Sequence, residues 1–388
     1  MTEEPAGGDL SRLRQLNAAA VLRELRGDQP LTLTELSKRT GLSRASTEDV
    51  ARDLLGRGWL AEVAPSVGSV GRPARRYRFN SGAGRILGVD VGGHKVLALV
   101  TDLDGTVLNQ ARILLDPELG RRGRLAAVDK CVAQALAGAD VRADQIWSTG
   151  VASTGLVDGT GKVMLSDSLP EWTGVDLTAH FRRLVGGPIR VENDCKLAAL
   201  AETWRGVARY AKDVVFLLAG LRTGAGLIIN GQLHRGFANW SGEIGALPAA
   251  GWQRAPEHLN NWLAGAKHPT PPVGAAQAAP PPELESVFVA ARRGDREAGR
   301  AVRGYVRDLA VGASALVLTL DPELVVIGGG FSRSADVMVE PLRRELDRWC
   351  LRTPEIRVSA FADEGVALGA VRLALEEVES TITAGLRP

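Results

Sequence analysis

Ile86-Leu87-Gly88-Val89-Asp90-Val91-Gly92-Gly93-His94-Lys95 is the stretch on which the reading of this 388-residue chain turns. Residues 86–91 read as a buried strand and 96–101 as a second. Asp104-Gly105 supplies the turn that follows, so the segment opens an antiparallel meander. Between the first two strands, Gly92 and Gly93 let backbone amides approach an anionic group at a hairpin turn. Taken alone, that motif is unspecific. Farther on, helical stretches (124–137, 195–204, 295–318) alternate with apolar strands (214–218, 324–327), which predicts an α/β body large enough for two lobes. Residues 266–283 are dense in Pro and Ala and read as a surface insert.

Upstream of Ile86 the pattern differs. Leu13, Leu16 and Ala20 recur at helical spacing, Val21, Leu22 and Leu25 continue the same helix, and 33–40 and 43–57 form two more. Gly41-Leu42-Ser43 joins the last two: glycine permits the positive φ of a tight turn, and Ser43 is placed to cap the next helix. Residues 59–63 and 75–79 then read as strands about a Gly/Ser/Pro turn. A helix-turn-helix followed by a β-hairpin is a winged helix, which reads DNA with polar groups on the third helix and basic groups on the wing. Ser43, Arg44, Ser46 and Thr47 are the candidates on the helix. Glu48 and Asp49 oppose a polyanion unless one accepts from a cytosine amine. On the wing, Arg72, Arg75 and Arg76 lie in a Gly-Arg-Pro-Ala-Arg-Arg-Tyr-Arg cluster suited to a minor groove and to phosphates. The alternative is a solvated basic hairpin in a protein-interaction module.

A chain of this length carries two or three domains. A net charge of +2 leaves the local arginine clusters to argue for nucleic acid. The N-terminus lacks a basic segment followed by an apolar run, and no stretch approaches the roughly 18 apolar residues of a membrane span, so a cytoplasmic location without membrane contact is expected. Cys131, Cys195 and Cys350 are odd in number and far apart, unlike a disulfide scaffold or a paired-cysteine zinc site.

Within the body, Val191-Glu192-Asn193-Asp194 ends a strand and enters an apolar helix. A carboxylate there is placed to act as a general base toward a hydroxyl, and an Asn-Asp helix cap is the plainer reading. Gly220-Leu221-Arg222-Thr223-Gly224-Ala225-Gly226, Ser241-Gly242-Glu243-Ile244-Gly245 and Val325-Val326-Ile327-Gly328-Gly329-Gly330 follow in order. With the winged helix, this series resembles the ROK family (repressors, open reading frames and kinases) from about residue 10 to 375. The resemblance implies an actin-like ATPase (ribonuclease-H-like) body of two lobes around a cleft, assembled as a homodimer or homotetramer. It implies three domains: a winged helix over 10–80 and lobes over 84–195 and 196–376. In the family's kinases the aspartate matching Asp194 deprotonates a sugar hydroxyl, while those matching Asn193 and Glu243 hold others. Asp90, Gly92 and Gly93 match the first phosphate loop, the segment with Arg222 and Gly224 the second, and Gly328 and Gly329 the adenosine side.

Three departures from the family pattern bear on function. The phosphate loop Gly-Thr-Gly reads Gly220-Leu221-Arg222, which removes a hydroxyl and bare amides; Arg222 either contacts an anion or plugs the empty nucleotide site. His94 stands where a threonine is usual. The zinc module's histidine is Ala246, no cysteine lies between Cys195 and Cys350, and His258 with His268 cannot complete a four-coordinate site, so neither zinc nor ATP with magnesium is expected as a cofactor. Ser153-Thr154-Gly155 replaces Gly-Pro-Gly at the cleft. The expected protein is therefore a double-stranded-DNA-binding regulator, usually a repressor. Its effector, a sugar or sugar derivative, contacts Ser153, Thr154, Asn193, Asp194 and Glu243, and phosphoryl transfer is lost. The rivals are an ATP-dependent hexose kinase, with Asp194 catalytic, and a body that serves only for oligomerisation.

Overall fold

The structure, a computed structural model, describes residues 10–26, 29–63, 75–265 and 282–383. Arg72, His268 and nearly all of the Pro/Ala-rich insert lie outside the described residues. The N-terminal domain runs α1 (Leu10–Leu25), β1 (Leu31–Thr32), α2 (Leu33–Thr40), α3 (Arg44–Gly56), β2 (Leu60–Val63) and β3 (Arg76–Phe79), with sheet order β1-β3-β2. Helix α2 opens with a capping box in which Thr32 and Glu35 satisfy each other's backbone N–H groups. It closes on Gly41 at φ +73°, where an added Cβ would meet nothing within 4 Å. The glycine is needed for the left-handed turn itself and not for space. Ser43 caps α3 by accepting from the Ser46 amide. This is the winged helix expected from the spacing.

Helix α1 forms where the spacing placed it. Leu13 and Leu16 are 54% and 61% exposed, and the helix packs through Val21, Leu22 and Leu25 in its C-terminal half. Helices α2, α3 and α11 all contact α1.

The body repeats one topology twice. In lobe 1, β4 (Arg85–Val91), β5 (Lys95–Thr101) and β6 (Val107–Leu114) form the antiparallel meander, while β7 (Ile146–Ser153) and β10 (Ile189–Asn193) join parallel to β4, giving order β10-β7-β4-β5-β6. Between them come α4 (Arg121–Gly138), the small ribbon β8 (Leu156–Val157) with β9 (Val163–Leu165), and α5 (Leu177–Phe181). After α6 (Asp194–Arg205), β11 (Val214–Leu218), β12 (Gly224–Ile229) and β13 (Gln232–Leu233) make a second meander. There β14 (Leu324–Gly328) and β15 (Glu355–Val358) add in parallel, giving order β13-β12-β11-β14-β15. Helices α7 (Ala255–Gly265), α8 (Pro282–Arg292), α9 (Arg296–Leu320) and α10 (Ala335–Trp349) build the outer layer of lobe 2 around Tyr305, Phe288 and Phe331.

The last described helix, α11 (Gly365–Thr383), does not belong to lobe 2, which corrects the division at 196–376. It crosses back to pack on β4, β7 and α6. Three glycines admit it: a Cβ on Gly88 would meet the Ala367 carbonyl at 2.8 Å, one on Gly150 the Ala370 carbonyl at 1.9 Å, and one on Gly369 the Leu197 carbonyl at 1.8 Å. Helices α6 and α11 together form the layer between the sheets. The winged helix rests on the same helix, since Leu25, Trp59 and Phe79 share one apolar cluster with Ile86, Val371, Leu375 and Val378. Trp59 meets Trp147 edge to face at 5.1 Å, and Arg26 pairs with Glu379. The reading head is thus seated on lobe 1 by an apolar joint.

Candidate functional site

The cleft is assembled from strand ends. Residues after β7 bring Thr154, the β10–α6 junction brings Asn193 and Asp194, the β11–β12 loop brings Leu221, Arg222 and Gly224, and the loop before a short 3-10 turn at Ile244–Ala246 brings Glu243. They enclose a cavity of about 340 Å³. Thr154, Asn193, Asp194 and Glu243, proposed from sequence as ligand contacts, therefore face one space. Asn193 also does what the plainer reading gave it: its Oδ1 accepts from the Cys195 and Lys196 amides (2.9 and 3.2 Å), capping α6, and its Nδ2 donates to the Gly155 carbonyl at 3.1 Å. Helix cap and cavity lining are one side chain, and the cap fixes where Asp194 begins the helix.

The carboxylates hold their protons more tightly than free ones. Burial lifts Asp194, against the hydrogen bonds it accepts from the Cys195 amide and Thr154. Glu243 keeps much of its surface open, yet desolvation by the cleft and then the charge of Asp194 lift it, with Lys196 opposing. Two such carboxyl groups on the lining of one small cavity suit a ligand rich in hydroxyl groups.

Ser153 is a correction. It is fully buried, accepts from Trp172 Nε1 at 2.9 Å and donates to the Thr154 carbonyl at 3.2 Å, so it shapes the loop under Thr154 and does not reach a ligand.

The residues matched to the phosphate loops make contacts within the protein. Asp90 is 5% exposed and its carboxyl is pushed up to about 6, chiefly by burial, with Lys95 opposing and Asp194 adding. The Gly92–Gly93 turn is tied from behind by Arg124, a fully buried guanidinium that donates to the carbonyls of Gly92 (2.6 Å), Gly93 (3.1 Å), Pro117 and Leu119. Sequence reasoning missed Arg124; the available signal was an arginine among the apolar residues that α4 buries. Across the cleft, Arg222 Nη2 donates to the Ser168 carbonyl of lobe 1 at 2.9 Å. The loop that would cradle phosphate carries instead a side chain that bridges the lobes, beside Leu221. Gly328 and Gly329 are accounted for by packing: a Cβ would strike the Phe216 ring at 2.3 Å and the Ala219 carbonyl at 2.6 Å.

Where a zinc module would follow Glu243, the chain is held by hydrogen bonds. Trp252 donates to the Leu309 carbonyl at 3.0 Å, and His258 Nε2 lies 3.0 Å from Asp308. Among the described residues no group of three or more potential ligands could hold a metal ion.

At the other end of the molecule, Arg44 is exposed at the start of α3 and Ser43 and Ser46 exchange a hydrogen bond at 2.9 Å. Thr47 is a further correction: it is fully buried and donates to the Ser43 carbonyl at 2.9 Å, so it cannot touch a base edge. Glu48 and Asp49, which oppose DNA on charge alone, are both paired with Arg52 on the same helix. Arg75 pairs with Glu62 and Arg76 donates to the Pro30 carbonyl, so both are engaged in holding the wing. Arg78, exposed on β3, points outward between buried Tyr77 and Phe79; sequence alternation alone could have singled it out.

Comparison with known proteins agrees with both ends of this layout. The ROK family model matches residues 86–261 and 275–377, and an IclR helix-turn-helix model matches 16–64. The chain belongs to the ROK family. It is 23% identical to the xylose repressor of Caldicellulosiruptor bescii over 96% of this chain and 98% of that protein. A crystal structure of a ROK family transcriptional regulator, a homolog of the E. coli MLC protein, superposes with a TM-score of 0.74 at 20% identity over 97% of this chain and 98% of that one. A ROK glucokinase from Streptomyces griseus, in complex with glucose and AMPPNP, matches 76% of this chain and all of that one at 25% identity and a TM-score of 0.60.

Proposed function

We propose that the chain is a sugar-responsive transcriptional repressor that binds operator DNA through α3 and the wing and is released when a pentose or hexose fills the cleft. The observation that carries this is the convergence of Thr154, Asn193, Asp194 and Glu243 on one cavity in a chain that also carries a winged helix, with Arg222 spanning the phosphate side. In this reading Asp194 accepts a hydrogen bond from a sugar hydroxyl and does not remove its proton. The full-length relative named a xylose repressor makes D-xylose the first ligand to try. Sugar binding shifts the protein only by its differential affinity for the DNA-bound and released arrangements. A homodimer or homotetramer would present paired reading heads to a two-fold operator, in the cytoplasm. No helix among the described residues is long and apolar enough to cross a membrane.

A second reading, ATP-dependent phosphorylation of a hexose, draws on Asp90, Gly92, Gly93 and Asp194 standing in their places. Catalysis of that transfer depends on electrostatic stabilisation of the phosphates, and the bridging Arg222 occupies the side where they would enter. Calorimetry with D-xylose and D-glucose, duplex capture from genomic fragments with and without each sugar, and a coupled assay with ATP separate the two. Sugar-dependent release of a captured duplex without turnover supports the repressor; turnover abolished by Asp194→Asn establishes the kinase.

A further inference from the structure

Behind the effector cleft lies a second cavity, about 700 Å³, at the meeting of the β10 edge, the 235–240 loop of lobe 2 and α11. Its walls and the adjoining face of α11 carry charged side chains in series. Glu192, 2% exposed, accepts from Arg235 Nε at 2.8 Å, Asn239 Nδ2 at 3.0 Å and the Asn193 amide at 3.0 Å, with Lys196 Nζ at 3.7 Å. Across the cavity the charge of Arg235 acts on Glu376 of α11, which burial raises and Arg372 and Arg235 lower. Arg372 lies 3.3 Å from Glu376 and 2.8 Å from Glu379. Glu379 pairs in turn with Arg26, whose guanidinium sits 5.0 Å over the Phe79 ring of the wing.

We propose that this series, Glu192, Arg235, Glu376, Arg372, Glu379 and Arg26, transmits occupancy of the effector cleft to the seating of the winged helix. Both of its ends touch functional parts. Glu192 precedes the ligand residues Asn193 and Asp194, and Arg235 shares one tight loop with Glu243. That loop is stiff: Gly236, Asn239 and Gly242 hold positive φ, the Ser241 amide donates to the Arg235 carbonyl at 3.1 Å, and Lys196 holds the Asn239 carbonyl. A ligand that draws on Glu243 and Asn193 therefore moves Arg235 with it.

The middle of the series works by partner exchange. Arg372 is shared between Glu376 and Glu379, and Glu379 between Arg372 and Arg26. Withdrawing Arg235 leaves Glu376 to compete harder for Arg372, which leaves Glu379, now shared with Arg372, to Arg26 alone and tightens that existing pair; returning Arg235 reverses this. Half-buried charges a few ångström apart couple strongly enough for such an exchange, and discrete pairings give the two states that coupling requires.

The idea gives the repressor reading its physical route, but its test needs neither sugar nor DNA, so the two can fail separately. Amide hydrogen exchange of the full chain is measured for Arg235→Gln, Arg372→Gln, the double variant and the control Arg300→Gln, whose partner is Glu297 on an exposed helix face. Arg235→Gln is expected to change exchange of residues 10–26 and 76–79 by about threefold or more, with the double variant no further displaced than the larger single. Arg372→Lys, which keeps the charge, should stay near the wild type and guards against a folding defect in Arg372→Gln. Winged-helix exchange in Arg235→Gln within the range of the control, or a double variant equal to the product of the singles, overturns the proposal.

Discussion

Replacing Asp90 by Asn removes a charge that the fold carries at a cost, and the size of that cost follows from the surroundings. Asp90 is the penultimate residue of β4, between Val89 and Val91, 5% exposed, and its carboxyl is pushed up from 3.8 to about 6 by burial despite Lys95 at 3.8 Å. Because the folded value lies above the unfolded one, the folded chain holds the extra proton between these two values. Its contribution to stability is full below the unfolded value and is lost as pH rises through about 6. At about 1.4 kcal/mol per unit, roughly two units make the ionised group cost about 3 kcal/mol at neutral pH. Asparagine imitates the protonated acid, and the Lys95 attraction is already contained in the shift. Asp90→Asn should therefore be more stable than the wild type by about 2–3 kcal/mol near pH 8, with the two curves converging near pH 4. Urea unfolding followed by tryptophan fluorescence across that range reads it directly. A variant that unfolds at equal or lower urea near pH 8 would refute the reasoning, because Lys95 would then outweigh desolvation.

Other consequences can be measured as readily. Asp194→Asn removes a carboxyl group from the cleft and, on the proposed function, should weaken D-xylose or D-glucose binding about 10- to 100-fold in calorimetry while leaving duplex affinity intact. Arg44→Ala and Arg78→Ala should each weaken duplex binding and lower the slope of log affinity against log salt by about one if the side chain neutralises a phosphate. Thr47→Val, by contrast, should leave that slope unchanged and appear only as a lower melting temperature. Gly150→Ala places a Cβ 1.9 Å from the Ala370 carbonyl, so α11 must shift; a loss on the order of 3 kcal/mol in thermal unfolding is expected, with the winged helix loosened as well.

Local chemistry was legible in the sequence wherever it is local. Gly41 and Ser43 announced the turn and cap of the reading head, 86–101 announced the meander, and Asn193, Asp194 and Glu243 meet as the family resemblance implied. What escaped depends on which surface a side chain meets. Ser153 and Thr47 are small hydroxyls in polar company, and nothing in their neighbours reveals that each turns inward to satisfy a backbone carbonyl. Arg124 looks like an ordinary helix cation until its carbonyl partners come from 92, 93, 117 and 119. The periodicity of α11 marks a buried helix but carries no information on which sheet buries it; Gly88, Gly150 and Gly369 become meaningful only as a set of close approaches. The bridging Arg222 was foreseen as an anion contact or a plug, and its Ser168 carbonyl partner required the opposite lobe.

The return of α11 to lobe 1 also sets an order of events during synthesis. The described strands and outer helices of lobe 2 have all left the ribosome once β15 has, whereas the sheet made first waits for α11 to cover β4 and β7. The reading head waits with it, because Val371, Leu375 and Val378 finish its apolar seat. A nascent or truncated chain that stops short of α11 leaves that seat open to solvent, an exposed surface of the kind chaperones and proteases recognise. Loss of the final helix would thus clear incomplete copies before they compete for an operator.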